Sequence, residues 1–287
     1  MGRNIAEKRP LPLLKSAIHS LGTHRLILYP FVIIALLQLF VLEILYFSPR
    51  YPLNLFFGPI IRKLWSDQYL HYPLNFLLLP KLFQYAQFVI YIFISSFLFA
   101  VAIAIIAKIN NGEKCHMKTV VRETRSFYIH IVVVAMISWG LVFTFIKSYG
   151  WLYAKVLLMP VQSGIQQQLK QVIIEGAPYF NLLLSVLITT LLAYTLPIIV
   201  IEKRKAFTAI ALNFRFLWGS FWTTFCIVLF PSLFFVPILV LRASVPVDFA
   251  IPEMRLWILV LSTGFMFVID AVIYTSLTTL YLMKKEV

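Results

Sequence analysis

Long apolar blocks alternate along this chain with short segments in which polar residues recur every three or four positions. Six blocks, at about 26–47, 82–107, 127–146, 179–201, 217–241 and 256–282, reach the roughly 20 residues a helix needs to cross a hydrocarbon core about 30 Å thick. They predict six transmembrane helices. Backbone groups inside a bilayer have no water to bond, so a helix that closes its own hydrogen bonds is the expected form of each.

A second pattern precedes the first, third and fifth blocks. Leu11, Leu14, Ile18 and Leu21 recur at helical spacing, with Lys15 and His19 on other faces. Met117, Val120, Val121 and Thr124 do the same beside Lys118, Arg122 and Arg125, and so do Phe207, Ile210, Ala211 and Phe214 beside Lys205, Asn213 and Arg215. These read as basic amphipathic helices lying in the membrane plane. Gly22 and Gly219 stand where two of them bend into the bilayer. The chain then reads as a single membrane domain, an all-α polytopic helix bundle, with three related units at 11–107, 116–201 and 205–282.

Two of the intervening connections predict further helices. One opens at Pro59, with Ile61, Leu64 and Trp65 opposite Arg62, Lys63 and Asp67, and runs towards Pro73. The other opens at Pro160, with Val161, Ile165, Leu169, Val172 and Ile173 as its apolar stripe, and ends at Gly176 and Pro178.

Composition supports the membrane reading. Of 287 residues, 61% are hydrophobic and only 13% charged, and the mean hydropathy is +0.89. Neither a water-soluble enzyme nor a disordered chain has that balance. The net charge of +14 comes from 25 Lys and Arg against 11 Asp and Glu. The basic residues sit in short connections, where they set topology and meet anionic headgroups. Membrane lipids and a membrane protein partner are therefore the expected contacts, and nucleic acid is not. Sixteen basic residues fall on the side of the termini and nine on the other, which predicts that both termini are cytoplasmic. The first block is too long for a cleavable signal and is expected to remain. Cys115 lies in a polar connection and Cys226 inside a block, so no disulfide is predicted.

Candidate chemistry is sparse. Asp270 sits near the middle of the sixth block, where an aspartate costs roughly 2.5–3.5 kcal/mol on insertion scales. Tyr274 and Thr278 follow it and Thr263 precedes it. One reading is a proton- or cation-binding position on a polar cavity. The other is a buried carboxyl bonded to a neighbouring helix as a packing contact. Glu43, near the end of the first block, can pair with Arg50 or reach headgroups, and Gln38 one turn deeper can join it in a polar patch. Pro197, Pro231 and Pro237 predict helix breaks, which serve either binding sites or kinked packing. Ser185, Thr189, Thr190 and Thr195 make the fourth block the other polar one.

The five histidines are scattered, and no phosphate loop, H-E-x-x-H pair or nucleophile elbow occurs. No catalytic residue, cofactor or metal site is assigned. Lys284 and Lys285 read as cytoplasmic anchoring, with a dilysine retrieval signal as the other reading.

The stretch Leu196-Pro197-Ile198-Ile199-Val200-Ile201-Glu202, followed by Ala206, Ala209 and Phe221-Trp222, resembles a segment of the YciC-like group of bacterial six-span membrane proteins. The resemblance implies the six-span fold and a bacterial inner-membrane location. It transfers no catalytic residue. The leading expectation is a non-enzymatic, lipid-interacting or complex-forming bundle, and the second is a small transporter or channel using Asp270.

Overall fold

A computed structural model describes residues 9–158, 164–244 and 252–285, and every regular element among them is helical. The first crossing is α2 (Leu28–Tyr46), entered from α1 (Pro10–Thr23) through one 3-10 turn. After α3 (Asn54–Leu64), the chain returns along α4 (Leu74–Ile90) and α5 (Ser96–Asn110), which a π-helical turn at Tyr91–Ser95 joins into one crossing. Next come α6 (Met117–Arg125), the long α7 (Tyr128–Leu158) and α8 (Gly164–Glu175). The fourth crossing is α9 (Ala177–Leu191) plus α10 (Thr195–Ile201). Then α11 (Ala206–Trp218) meets α12 (Phe221–Leu233) at a bend of 97°. The chain ends with α13 (Val236–Ser244) and α14 (Met254–Lys285).

Among the described residues, five helical stretches are long and apolar enough to cross a membrane, and the protein is an integral membrane protein. The predicted fifth span is made of two shorter helices, α12 and α13, separated at Phe234–Phe235. Together they connect the two ends of the bundle, since Thr224 bonds Tyr194 at one end and Arg242 bonds Ser262 at the other.

The prolines explain two of the breaks. A proline has no N–H for the carbonyl four residues back, and its ring crowds that carbonyl. For Pro197 this is Ala193 and for Pro237 it is Leu233, beside the turns at Leu192–Tyr194 and Phe234–Phe235. Pro231 differs from expectation: it is buried inside α12, which runs through unbroken. One missing backbone bond is tolerated in a packed membrane helix.

Other boundaries move as well. The predicted helix start at Pro59 lies inside α3, which begins at Asn54. The third span continues to Leu158 instead of ending near Ile146. Pro160 and Val161 lie outside the described residues. On α11 the buried face is not the sequence stripe, and on α1 it shares only Leu14 and Leu21 with it. Leu13, Leu14, Ala17 and Leu21 are buried whereas Leu11 and Ile18 are exposed. Ala206, Ala209, Asn213 and Leu217 are buried, whereas Phe207, Phe214 and Trp218 are exposed. On α11 the small residues Ala206 and Ala209 let the helix approach the bundle closely, so Phe207, Phe214 and Trp218 are left pointing outward.

α5 lies at the centre, with Ala100, Val101, Ala102 and Ile103 fully buried. A core at one end joins Leu13 and Leu14 of α1 to Leu280 and Tyr281 of α14, so the described N- and C-terminal helices meet there. We call this the terminal end. At the far end Leu42, Leu45, Phe76, Phe83 and Leu259 form a separate core. Lys108 at the end of α5 pairs with Glu123 of α6 at 2.8 Å.

Candidate functional site

Between these two cores the helices part around a cavity of about 320 Å³. The five candidate spans and α12 all contribute to its wall. Gln38 comes from α2, Gln87 from α4, and Tyr91 and Ser95 from the π-helical turn. Ser138 and Trp139 come from α7, Ser185 and Thr189 from α9, and Ser232 from α12. From α14 come Asp270 and Tyr274.

The breaks put polar groups here. A π-helical turn inserts one extra residue and turns side chains to faces that a regular helix would not present. Tyr91 and Ser95 bracket that turn and both line the cavity. Ser95 is 2% exposed, and its hydroxyl has no hydrogen-bond partner. Phe235, in the turn between α12 and α13, lines the cavity from the opposite wall.

Asp270 is the only charged side chain among the described residues lining this space. No hydrogen bond or ion pair from another side chain reaches its carboxyl, and its titratable neighbours are Tyr91 and Tyr274. The Tyr274 ring is braced by Phe99, stacked at 4.3 Å between centroids. A carboxyl at this depth is either protonated or matched by a positive charge.

Towards the far end the cavity widens into a more open recess of about 580 Å³ that shares Gln87, Ser185, Phe235 and Met266 with it. Asn181, near the start of α9, and Arg242, near the end of α13, lie at this mouth. Arg242 donates to Ser262 Oγ at 2.8 Å. Ser262 precedes Asp270 by eight residues, so at 1.5 Å per residue the guanidinium's anchor is about 12 Å nearer the far end.

Towards the terminal end the space closes. A remnant of about 50 Å³ is walled by Ala193, Leu196, Phe99 and Leu277. Below it Tyr194 is fully buried, its hydroxyl 2.6 Å from Thr224 Oγ1 and 3.2 Å from Ser220 Oγ. Asn213 of α11 accepts from the Tyr194 N–H at 2.9 Å and donates to the Leu191 carbonyl at 2.6 Å. Tyr281 donates to Glu202 Oε1 at 2.5 Å, and Lys284 donates to the Phe216 carbonyl at 2.9 Å. Side chains of α11, the α9–α10 break and α14 thus close one end.

Of the residues singled out in the sequence, the structure brings Asp270, Tyr274, Gln38, Ser185 and Thr189 together around one cavity. Gln87 Nε2 donates to Gln38 Oε1 at 3.4 Å. Thr278 is not part of the group. It is fully buried two turns below Asp270, and its hydroxyl bonds back to the Tyr274 carbonyl at 2.7 Å. Glu43 does not join Gln38: five residues at 3.6 per turn rotate it by about 140°, leaving it exposed on the outside of α2. Arg50 instead lies over the rings of Tyr46 and Phe47. Thr190 bonds back to Val186, and Thr195 is buried without a partner.

Sequence reasoning missed Tyr91, Ser95, Gln87, Ser138 and Ser232. The pair Ser95-Ser96 and the glutamines Gln84 and Gln87 inside an apolar block are the available signals. Asn213, read as part of an outer polar face, is fully buried. Cys115 and Cys226 are free thiols. No group of three metal-ligating side chains occurs among the described residues.

No protein-family model matches this chain, and no curated protein or solved structure matches it either. The resemblance to the YciC-like group rests on the residues quoted above.

Proposed function

We propose that the protein is a membrane carrier, open at its far end, that binds a small solute in the central cavity with Asp270 as the charged contact. One observation carries the reading: an unpaired intramembrane carboxylate lines a polar cavity that opens at one end and is closed by hydrogen-bonded aromatic side chains at the other. A carboxyl retained for packing would bond a neighbouring helix. A channel would be continuous. Broken crossings beside a midplane site are the arrangement that lets a carrier hinge around its solute.

The termini lie in the cytoplasm on this reading, supported by the excess of Lys and Arg on that side. The resemblance noted above supports a bacterial inner membrane. The outward-facing Leu11, Ile18, Phe207, Phe214 and Trp218 sit in the cytoplasmic leaflet, with Lys203, Arg204 and Lys205 at its headgroups. Lipid contact thus belongs to the surface helices α1 and α11, and transport to the cavity.

The test is reconstitution on a solid-supported membrane, with current recorded as amines, amino acids, sugars and organic acids are applied in turn. At least one class is expected to evoke current with the wild type and none with Asp270→Asn, whose thermal unfolding matches the wild type. Equal currents from both proteins, or no current with any class, would refute the carrier.

A further inference from the structure

We infer that the solute seated in the cavity is an organic cation, a protonated amine on a small apolar body, held between Asp270 and the rings of Tyr91 and Tyr274. This rests on the cavity being a binding site, as the carrier reading requires.

Charge comes first. The cavity presents one carboxylate and, among the described residues lining it, no Lys, Arg or His. An anion entering it would find no positive partner and would disfavour ionisation of the carboxyl, whereas a cation stabilises the ionised carboxylate and is paired by it. Size separates the kinds of cation. A space of about 320 Å³ falls in the range of small-molecule pockets and is far larger than a dehydrated metal ion. A hard metal cation also takes several oxygen ligands at short range. Among the described residues lining the cavity Asp270 is the one acidic side chain, and no group of three acidic, His or Cys side chains occurs.

The wall chemistry narrows the class further. Tyr274 follows Asp270 by one helical turn, and Tyr91 approaches from the π-helical turn; both lie within electrostatic reach of the carboxyl. Aromatic faces attract a cation through their quadrupole, most strongly where water is excluded. Phe99 stacks on Tyr274 and fixes its ring. Gln38 and Ser138 line the same space and add side-chain oxygens that can accept from an ammonium N–H. Val228, Ile269 and Ile273 give the wall an apolar stretch that suits a hydrocarbon body, beside the polar Gln38, Gln87, Ser138, Ser185, Thr189 and Ser232.

A protonated amine can come from a free solute or from the headgroup of an aminophospholipid. Both present the same ammonium, and the experiment separates them. Full-length protein is placed in nanodiscs of phosphatidylglycerol, and binding of 2-phenylethylammonium is measured by calorimetry beside its neutral analogue 2-phenylethanol and the anion 3-phenylpropanoate. Saturable binding of the ammonium alone is expected, lost in Asp270→Asn. Tyr274→Leu is expected to weaken it about 2- to 30-fold, the size of a cation–π contact, and this variant carries the test should Asp270→Asn fail to fold.

Repeating the titration in phosphatidylethanolamine nanodiscs identifies the source. Retained affinity indicates a free amine, and competition indicates the lipid headgroup; either supports a cation site. Equal binding of the alcohol or the anion, absence of ammonium binding, or affinity unchanged in Asp270→Asn or, where that variant does not fold, in Tyr274→Leu would overturn the inference. Solute-driven current without ammonium binding defeats the amine and spares the carrier. Ammonium binding without any current does the reverse.

Discussion

Asn213 of α11 holds Tyr194 in the break of the fourth crossing: its Oδ1 accepts from the Tyr194 N–H at 2.9 Å while its Nδ2 donates to the Leu191 carbonyl at 2.6 Å. One side chain on a short helix thereby satisfies two backbone groups that the broken helix has released. The same turn places the Tyr194 hydroxyl on Thr224 and Ser220. α11, which enters α12 at 97°, is thus coupled to the closed end of the cavity.

Replacing Asn213 by Ala leaves a buried N–H and a buried C=O without partners, at about 1–3 kcal/mol for each unsatisfied group. A lowered unfolding temperature in detergent is expected, with hydrogen exchange accelerated at residues 192–195. Unchanged stability and exchange would mean that the two bonds do not hold the break.

Tyr281→Phe removes the bond to Glu202 while keeping the ring against Phe216 and Tyr194. The closed end is expected to open more often. A cysteine at Leu277, just above the seal, should then react faster with a water-soluble thiol reagent applied from the terminal side than in the Tyr281 protein. Equal rates would place the seal elsewhere.

The general plan of the protein is legible in the letters, because twenty apolar residues in a row have few other uses. Asp270 is legible for the same reason: a charge stands out in such a block. The cavity wall is not. Whether Thr278 or Thr189 lines a cavity depends on helix rotation and depth, which hydroxyl content does not encode. Nor does the π-helical turn at Tyr91–Ser95 announce itself, since no proline or glycine marks it. The protein-facing side of α11, and part of that of α1, is not legible in the stripe because a helix between protein and lipid has two apolar sides. Its small residues, Ala206, Ala209 and Ala17, mark the protein side. Pro197 and Pro237 coincide with breaks and Pro231 does not, which shows that a proline permits a break that the surrounding packing decides.

Pro237→Ala restores an N–H that can bond the Leu233 carbonyl, so α12 and α13 are expected to merge. On the carrier reading, turnover falls while solute affinity is retained, because the site is intact and the hinge is stiffened. Faster turnover, or a parallel loss of affinity, would show that the break has another role.

At the far end Asp67 contacts Arg62 at 2.7 Å and His71 at 3.6 Å. The Arg62 hydrogen bond holds its carboxyl below the usual aspartate range. A carboxyl pKa lowered on folding contributes stability above its unfolded value, near 3.9, and that contribution is lost as pH falls through the folded value. All three groups are exposed, so screening makes the contribution small. Asp67→Asn is expected to leave the unfolding temperature nearly unchanged at neutral pH, with no difference at all in strong acid. A large drop at neutral pH would reveal a structural role that the exposed geometry does not support.

Access to position 270 tests the account most directly. In a background of Cys115→Ser and Cys226→Ser, Asp270→Cys is incorporated into sealed vesicles of each orientation and exposed to the membrane-impermeant cation 2-(trimethylammonium)ethyl methanethiosulfonate. Rapid labelling from the side opposite the termini is expected, with slow labelling from the terminal side. A cysteine unreactive from both sides, or one labelled first from the terminal side, would contradict a solute cavity open at the far end.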